Sequence, residues 1–298
     1  MKHLLYTGAS GFLGHNTLPI LCEQYSVSTL GITDADDYKA NIAMEVPQLS
    51  KRYDTVLHAA GKAHVVPRTE EEIKAFYDVN YQGTVNLCLA LEKVGVPQSL
   101  IFVSTVAVYG CDAGEGIEET HPLNGTTPYA KSKIMAEEHL QKWCAEHGVI
   151  LSIIRPSLII GPNAPGNLGA MAQGIRSGKY LSIAGGKARK SMLMVQDVAR
   201  LVPLLEEKGG VYNVCDSRHP SFRELEQSIC QQIGKKGVVN VPYWFAKSLA
   251  LIGNLLGNRA PINSDKLTKI TSSLTFSNEK AKRELGWQPL DVIEEYQI

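Results

Sequence analysis

The sequence predicts an α/β fold: a doubly wound parallel sheet followed by a smaller, mostly helical C-terminal region. Three observations carry that expectation. In the first half, short apolar runs alternate with helical segments, the pattern of a parallel sheet wrapped by helices. Those runs are apolar throughout, as strands covered on both faces must be. After Gly161 the chain turns Gly-, Pro- and Asn-rich, and from Ser221 onward it reads as mostly helical.

HLLYT (residues 3–7) is the first strand and FLGHNTLPILCEQY (12–25) its helix. SVSTLGI (26–32) and DTVLHAAG (54–61) are the second and third strands, and a long helix spans 70–94. SLIFVST (99–105) is the fourth strand, a helix covers 128–147, and VILSIIRPSLIIG (149–161) is the fifth strand. PNAPGNLGAMAQGIRSGK then leaves the sheet, and SMLMVQDVARLVPLLEE with GVYNVCD reads as a returning strand–helix–strand unit. Further on, Trp244, Phe245, Leu249, Ile252, Leu255 and Leu256 form an apolar stripe. Lys247 is the only basic residue within 241–257, so a core or lid helix is expected there rather than one lying on a membrane.

Composition narrows the function classes. A chain of 298 residues with 44% hydrophobic and 20% charged residues is an ordinary globular protein, with room for a large domain and a smaller one. Thirty basic residues balance thirty acidic ones, so no net charge steers it to nucleic acid or anionic lipid. Six scattered cysteines without a CxxC pair argue against a zinc knuckle or redox dithiol and suit a reducing compartment. No His, Asp or Glu set has metal-ligand spacing. The N-terminal apolar stretch is too short for a signal peptide and no apolar run spans a bilayer, so a cytoplasmic protein is expected.

YTGASGFLG sets Gly8, Gly11 and Gly14 at GxxGxxG spacing between the first strand and its helix. One glycine permits the tight turn, a second lets backbone approach a diphosphate, and a third lets helix pack on strand. The diphosphate then rests on unpaired N–H groups at the helix N-terminus. In this context the triplet predicts a dinucleotide site.

With these motifs the chain resembles the extended short-chain dehydrogenases/reductases, the NAD-dependent epimerase/dehydratase family typified by UDP-glucose 4-epimerase. DTVLHAAG, the VNYQGTVNL helix, FVSTVAVYG, PYAKSK, RPSLIIGP, VQDVA, VYNV and LGWQP match its landmarks in order, nearly end to end. The resemblance implies a Rossmann-type doubly wound parallel sheet. It divides the chain into an NAD(P)-binding domain, residues 1–165 with 191–215 returning to it, and a nucleotide-sugar-binding region, 166–298. It implies cofactor contacts from Gly8, Ser10, Gly11, Phe12, Leu13 and Gly14, from His58, Ala59 and Ala60, and from Asn80, Ser104 and Pro156. Asn41-Ile42 stands where relatives carry an Asp-apolar pair beside the adenine. The second strand ends in Gly31-Ile32-Thr33, with no acid for the ribose hydroxyls and no arginine for a 2′-phosphate. Asp34, Asp36 and Asp37 follow and would repel such a phosphate, although an acidic solvated turn explains them equally. NAD is expected, with NADP left open.

TTPYAKSK places Tyr129 and Lys133 four residues apart on one helix face. Alone, that is an ordinary solvated pair. In this setting the resemblance makes it the catalytic YxxxK pair, with Lys133 and the charged nicotinamide lowering a tyrosine pKa that is ordinarily ~10. Thr105, five residues before Gly110, is the third catalytic member and binds the reacting oxygen; Ser104 is its neighbour. Family dehydratases follow this Thr with Asp and Glu, whereas here Val106 and Ala107 follow, and neither transfers a proton. That excludes dehydration of that type and leaves redox chemistry at one carbon.

For the substrate, the resemblance assigns Asn167-Leu168 and the basic pair Arg189 and Lys190 to a sugar-nucleotide diphosphate, beside Thr105, Val106 and Tyr129. A solvated basic turn is the plain alternative for GKARKSM. Of the histidines, His58 packs near the cofactor, His139 and His147 read as solvated, and His64 is within reach of the sugar. The implied function is an NAD-dependent 4-epimerase of a UDP-hexose or UDP-N-acetylhexosamine, acting by transient hydride transfer through a 4-keto sugar. Arg155-Pro156-Ser157-Leu158 departs from the epimerase RxxN pattern. It resembles reductases of UDP-linked 4-keto-6-deoxy sugars for surface polysaccharides, the first alternative. A non-catalytic nucleotide-sensing module is the second. A homodimer through helices 70–94 and 128–147 is also implied.

Overall fold

The computed structural model describes residues 1–63, 65–164, 166–255 and 262–298. His64, Leu256 and the side chain of Asn167 lie outside the described residues. The elements run β1 (Lys2–Thr7), α1 (Phe12–Cys22), β2 (Tyr25–Gly31), β3 (Tyr38–Lys39), β4 (Thr55–His58), α2 (Glu70–Tyr77), α3 (Gly83–Val94) and β5 (Ser99–Val103). They continue with β6 (Gly114–Ile117), α4 (Pro128–His147), β7 (Ile150–Pro156), β8 (Leu158–Ile160), α5 (Gly166–Ser177), β9 (Leu181–Ile183), β10 (Met192–Met194), α6 (Val195–Leu205) and β11 (Gly210–Val214). The chain ends with α7 (Phe222–Gln232), β12 (Val239–Val241), α8 (Tyr243–Gly253), α9 (Ser264–Thr271), β13 (Leu274–Phe276), α10 (Glu279–Leu285) and α11 (Val292–Glu295).

The main sheet has the order β11-β7-β5-β4-β1-β2-β3, and every pairing in it is parallel. Successive strand residues point to opposite faces, so each strand feeds two cores. Leu4, Tyr6, Leu57, Ile101 and Ile154 pack with Val198, Leu201 and Leu205 of α6 on one side. Leu5, Val56, Leu100, Phe102 and Ile153 pack with Leu87 and Leu91 of α3 and Ala136 and Leu140 of α4 on the other. Buried on both faces, the strands read as continuous apolar runs.

Several boundaries differ from expectation. The fifth apolar run is two strands: β7 stays in the sheet as far as Pro156, and β8 pairs with β10 in a separate parallel ribbon. β7's partners end opposite Ile154 and Pro156, so the run continues on a different neighbour. The third strand stops at His58, and 59–61 is loop. The long helix 70–94 is continuous but contains a π-turn, Asp78–Gln82. The C-terminal region is mostly helical, with two short strands besides: β12 pairs with β9 and β13 with β6.

The apolar stripe is a further correction. α8 faces the protein through Ala246 and Ala250, which pack with Leu267 of α9. Trp244, Phe245, Leu249, Ile252 and Leu255 are exposed. A helix apolar around most of its circumference buries only the side its neighbours cover. Among the described residues, no helix is long and apolar enough to cross a membrane.

Candidate active site

β1 lies between β2 and β4, so the chain runs outward from β1 on one side and resumes on the other. That reversal opens a crevice at the carboxyl ends of the strands. The turn from β1 to α1 crosses it. Gly8 has φ of 78°, and a Cβ there would lie 2.7 Å from Ala60 Cα. A Cβ on Gly14 would lie 2.0 Å from the Ala9 carbonyl oxygen. Both positions therefore exclude side chains by close backbone packing. Gly11 differs, because its Cβ would meet only the Gly8 carbonyl oxygen, at 3.4 Å. It is also the N-cap of α1, with no side chain capping the first N–H groups. Open space above uncapped amides is what a diphosphate needs, so the residues present fit a dinucleotide.

At the end of β2 the acids are tied locally. Asp36 accepts from the Thr33 amide at 3.0 Å and from its hydroxyl at 2.6 Å, and lies over Gly31. Asp37 accepts from the Thr29 amide at 2.8 Å, and Lys39 pairs with Asp34 at 2.5 Å. Asn41 is exposed and accepts from the Ala43 amide. Ile42 is buried against Gly83, and Asn86 donates to its carbonyl at 2.7 Å. The structure thus places the Ile42 side chain in the core.

His58 ends β4, buried between the Thr7 and Thr84 hydroxyls at 2.7 and 2.9 Å. Burial, with Lys133 assisting, holds its pKa down at about 3, so it is a neutral clamp. The Ala59 and Ala60 amides donate to the Thr7 carbonyl and hydroxyl, which fixes the loop beside Gly8. Asn80 sits in the π-turn, a feature frequent at functional sites. It accepts from the Lys62 amide at 2.7 Å and donates to Ser132 at 2.9 Å, which binds this loop to α4. Gly61 is a residue the sequence reading missed: a Cβ there would lie 3.2 Å from Lys133 Nζ.

α4 begins where Thr127 caps it with Pro128 following, and Gly148 ends it at φ of 67°. This presents Tyr129, Lys133 and Glu137 on one face. Burial pushes the Tyr129 pKa above its ordinary value, and the Thr105 side chain beside it only opposes that rise. This corrects the expectation that Lys133 lowers it in the free chain. The Lys133 ammonium instead donates to the Val103 carbonyl at 2.9 Å and lies 4.6 Å from the Phe102 ring centroid. Burial lowers its pKa to about 8, against the opposing charge of Glu137.

Behind these residues lies a buried network. Arg155 donates to Glu137 at 2.6 and 3.1 Å and to the Tyr109 hydroxyl at 3.0 Å, and Tyr109 donates to Asn213 at 2.6 Å. Ser104, expected at the cofactor, donates its hydroxyl to Glu137. Pro156 is buried at the end of β7, next to Ser157, whose buried hydroxyl has no hydrogen-bond partner among the described residues.

On the substrate side the predicted set divides. Leu168, in the first turn of α5, is buried in a hydrophobic cluster with Met171 and Ile175. Arg189 donates to the His219 and Arg218 carbonyls at 2.9 and 2.6 Å, so its fork is committed to a loop. Lys190 is half-buried and carries no side-chain hydrogen bond or ion pair among the described residues, and burial lowers its pKa. Val106 begins the short turn Val106–Tyr109, capped by Thr105.

The fold and this site define a dinucleotide-dependent α/β enzyme. The family model described as NAD dependent epimerase/dehydratase family matches residues 4–215. The chain belongs to that family and is an NAD(P)-dependent enzyme of it. It is 30% identical to the N-acetyl-alpha-D-glucosaminyl-diphospho-ditrans,octacis-undecaprenol 4-epimerase of Escherichia coli O157:H7, over 93% of this chain and 88% of that protein. It is 29% identical to the GDP-6-deoxy-D-mannose reductase of Pseudomonas aeruginosa, over 75% and 78% of the two chains. The crystal structure of Thermotoga maritima UDP-glucose 4-epimerase with UDP-glucose superposes with a TM-score of 0.74 at 22% identity, covering 98% of this chain and 95% of that one.

Proposed function

We propose that the chain is a 4-epimerase of a hexose or N-acetylhexosamine carried on a diphosphate. This reading is supported by Tyr129 and Lys133 on one face of α4 with Thr105 beside Tyr129, and by Val106 and Ala107 where a dehydratase needs an acid and a base. NAD, when bound, supplies reversible oxidation at the sugar carbon. Tyr129 Oη takes the proton of the C4 hydroxyl and later returns it. Thr105 Oγ1 holds the reacting oxygen, and Lys133, cationic below about pH 8, would hold the nicotinamide ribose. Gly11 and the open end of α1 hold the cofactor diphosphate. The acidic turn at Asp34, Asp36 and Asp37 supports NAD over NADP, since a 2′-phosphate would meet like charge there.

Lys190 supports a diphosphate-linked substrate, because a half-buried ammonium without an ion pair is suited to an anion. UDP is the first carrier to test. The Escherichia coli relative, named for a polyprenol-linked sugar, supports a lipid carrier as the next. A 4-keto sugar reductase is the second reading, supported by the 29% identical reductase and by Pro156-Ser157-Leu158. A cytoplasmic homodimer completes the proposal. Ile73 on α2, Leu89 on α3 and Met135 on α4 expose apolar side chains on the helices such a dimer would pair.

The test mixes purified protein with UDP-glucose or UDP-N-acetylglucosamine and no added nicotinamide, and follows the anomeric signals by NMR. Appearance of the C4 epimer supports the epimerase. Unchanged UDP sugars together with consumption of NADPH on a 4-keto sugar would favour the reductase.

A further inference from the structure

α8 is attached to the protein by one narrow strip. Ala246 and Ala250 are each 1% exposed against α9. The opposite side carries Trp244 at 69%, Leu251 at 57%, Ile252 at 62% and Leu255 at 88% exposure, flanked by Phe245 and Leu249. Of the exposed residues at 243–255, Lys247, Ser248 and Asn254 are polar and Tyr243 carries a hydroxyl. In the ribbon that precedes α8, the paired neighbours Val239 and Leu181 are exposed as well. An exposed apolar surface of this kind marks an interaction site.

The described part of 233–264 is basic, with Lys235, Lys236 and Lys247 and no Asp or Glu, although Asp265 follows on α9. Residues 176–187, which include β9, contain Arg176, Lys179 and Lys187, again without an acid. The chain as a whole has a formal net charge of zero, so this is a local excess. Lys179, Lys236 and Lys247 have no ion-pair partner among the described residues.

We propose that this face docks the protein peripherally on an anionic lipid bilayer. The indole of Trp244 and the side chains of Leu251, Ile252 and Leu255 enter the headgroup–acyl boundary, and the flanking lysines meet the phosphates. Tryptophan and leucine on one face with lysines beside them are the composition of an in-plane interfacial helix. A second copy of the chain fits this face less well. A two-fold interface sets the patch against itself, which brings lysines to lysines with no carboxylate in either segment. α8 is 11 residues long and does not span. The docking is independent of the proposed reaction and of the sugar carrier.

The test uses the full chain and vesicle flotation. Vesicles of phosphatidylcholine alone are compared with vesicles containing about 30% phosphatidylglycerol. The chain floats with the anionic vesicles, and added salt weakens the association. Trp244→Glu with Leu251→Glu lowers the bound fraction about tenfold or more, while NAD binding and the melting temperature stay those of the parent. Lys236→Gln with Lys247→Gln weakens binding to anionic vesicles without touching the apolar face, which separates docking from misfolding. Flotation with neither vesicle overturns the proposal, as does equal flotation of the parent and the Trp244/Leu251 variant. A parent that ignores vesicles but dimerises through this face, becoming monomeric in the Trp244/Leu251 variant, also overturns it.

Discussion

Glu137 and Arg155 form a doubly hydrogen-bonded ion pair, 2.6 and 3.1 Å long, with side chains 1% and 4% exposed. Glu137 lies one helical turn beyond Lys133 and also accepts from Ser104, the residue before Thr105. One carboxylate therefore ties α4, which carries Tyr129 and Lys133, to the strand ends that carry Thr105 and Arg155. Removing one partner leaves a buried charge unpaired. Glu137→Leu should destabilise the fold by about 3–5 kcal/mol. Glu137→Leu with Arg155→Met should cost less than the sum of the two single changes. Urea unfolding of the four proteins measures both.

Burial of Lys133, opposed by the same carboxylate, sets a pH dependence. The Lys133 pKa is lowered to about 8, so its ammonium is present below that pH and lost as pH rises through it. With Lys133 holding cofactor, kcat/KM should fall on the alkaline side with a midpoint near 8. Glu137 raises the Lys133 value, so Glu137→Gln should shift that limb to lower pH. A pH profile of the parent and the variant checks the direction.

The glycines separate folding from binding. Gly14→Ala places a methyl 2.0 Å from the Ala9 carbonyl oxygen and should cost about 1–3 kcal/mol of stability. Gly11→Ala meets only an oxygen at 3.4 Å, so stability should hold while NAD affinity falls about tenfold or more. Thermal melts and NAD titration of each variant distinguish them.

Much of this was legible in the sequence. The bounds of α4 are written locally, since Thr127-Pro128 starts it and Gly148 stops it. The glycine loop is equally local. The ribbon strands, three or four residues long, carry no readable period, and the π-turn at Asp78–Gln82 has no sequence signal. Partners from distant segments were unreadable too. Nothing beside Arg189 announces the 218–219 carbonyls, and nothing in α4 tells Glu137 that Arg155 will face it. The α8 stripe was read as a core or lid helix because composition cannot say which side of an apolar helix its neighbours cover.

Asp216 should make stability fall with pH. It is 1% exposed, and burial first, then Asp291, raises its pKa from 3.8 to about 7. Between those values the folded state keeps a proton that the unfolded state releases, so stability is lost as pH rises through about 7. The loss is on the order of 1–4 kcal/mol. Asp216→Asn should flatten the difference between unfolding free energies measured at about pH 5 and 8.

The most direct test of the site is Tyr129→Phe, assayed for turnover and for NAD binding on the same preparation. Loss of the phenolic oxygen should lower kcat by about 10²–10⁴-fold and leave NAD affinity within a factor of about three. Turnover at the parent rate, or loss of NAD binding with turnover retained, would contradict the assignment of Tyr129 as the group that moves the proton.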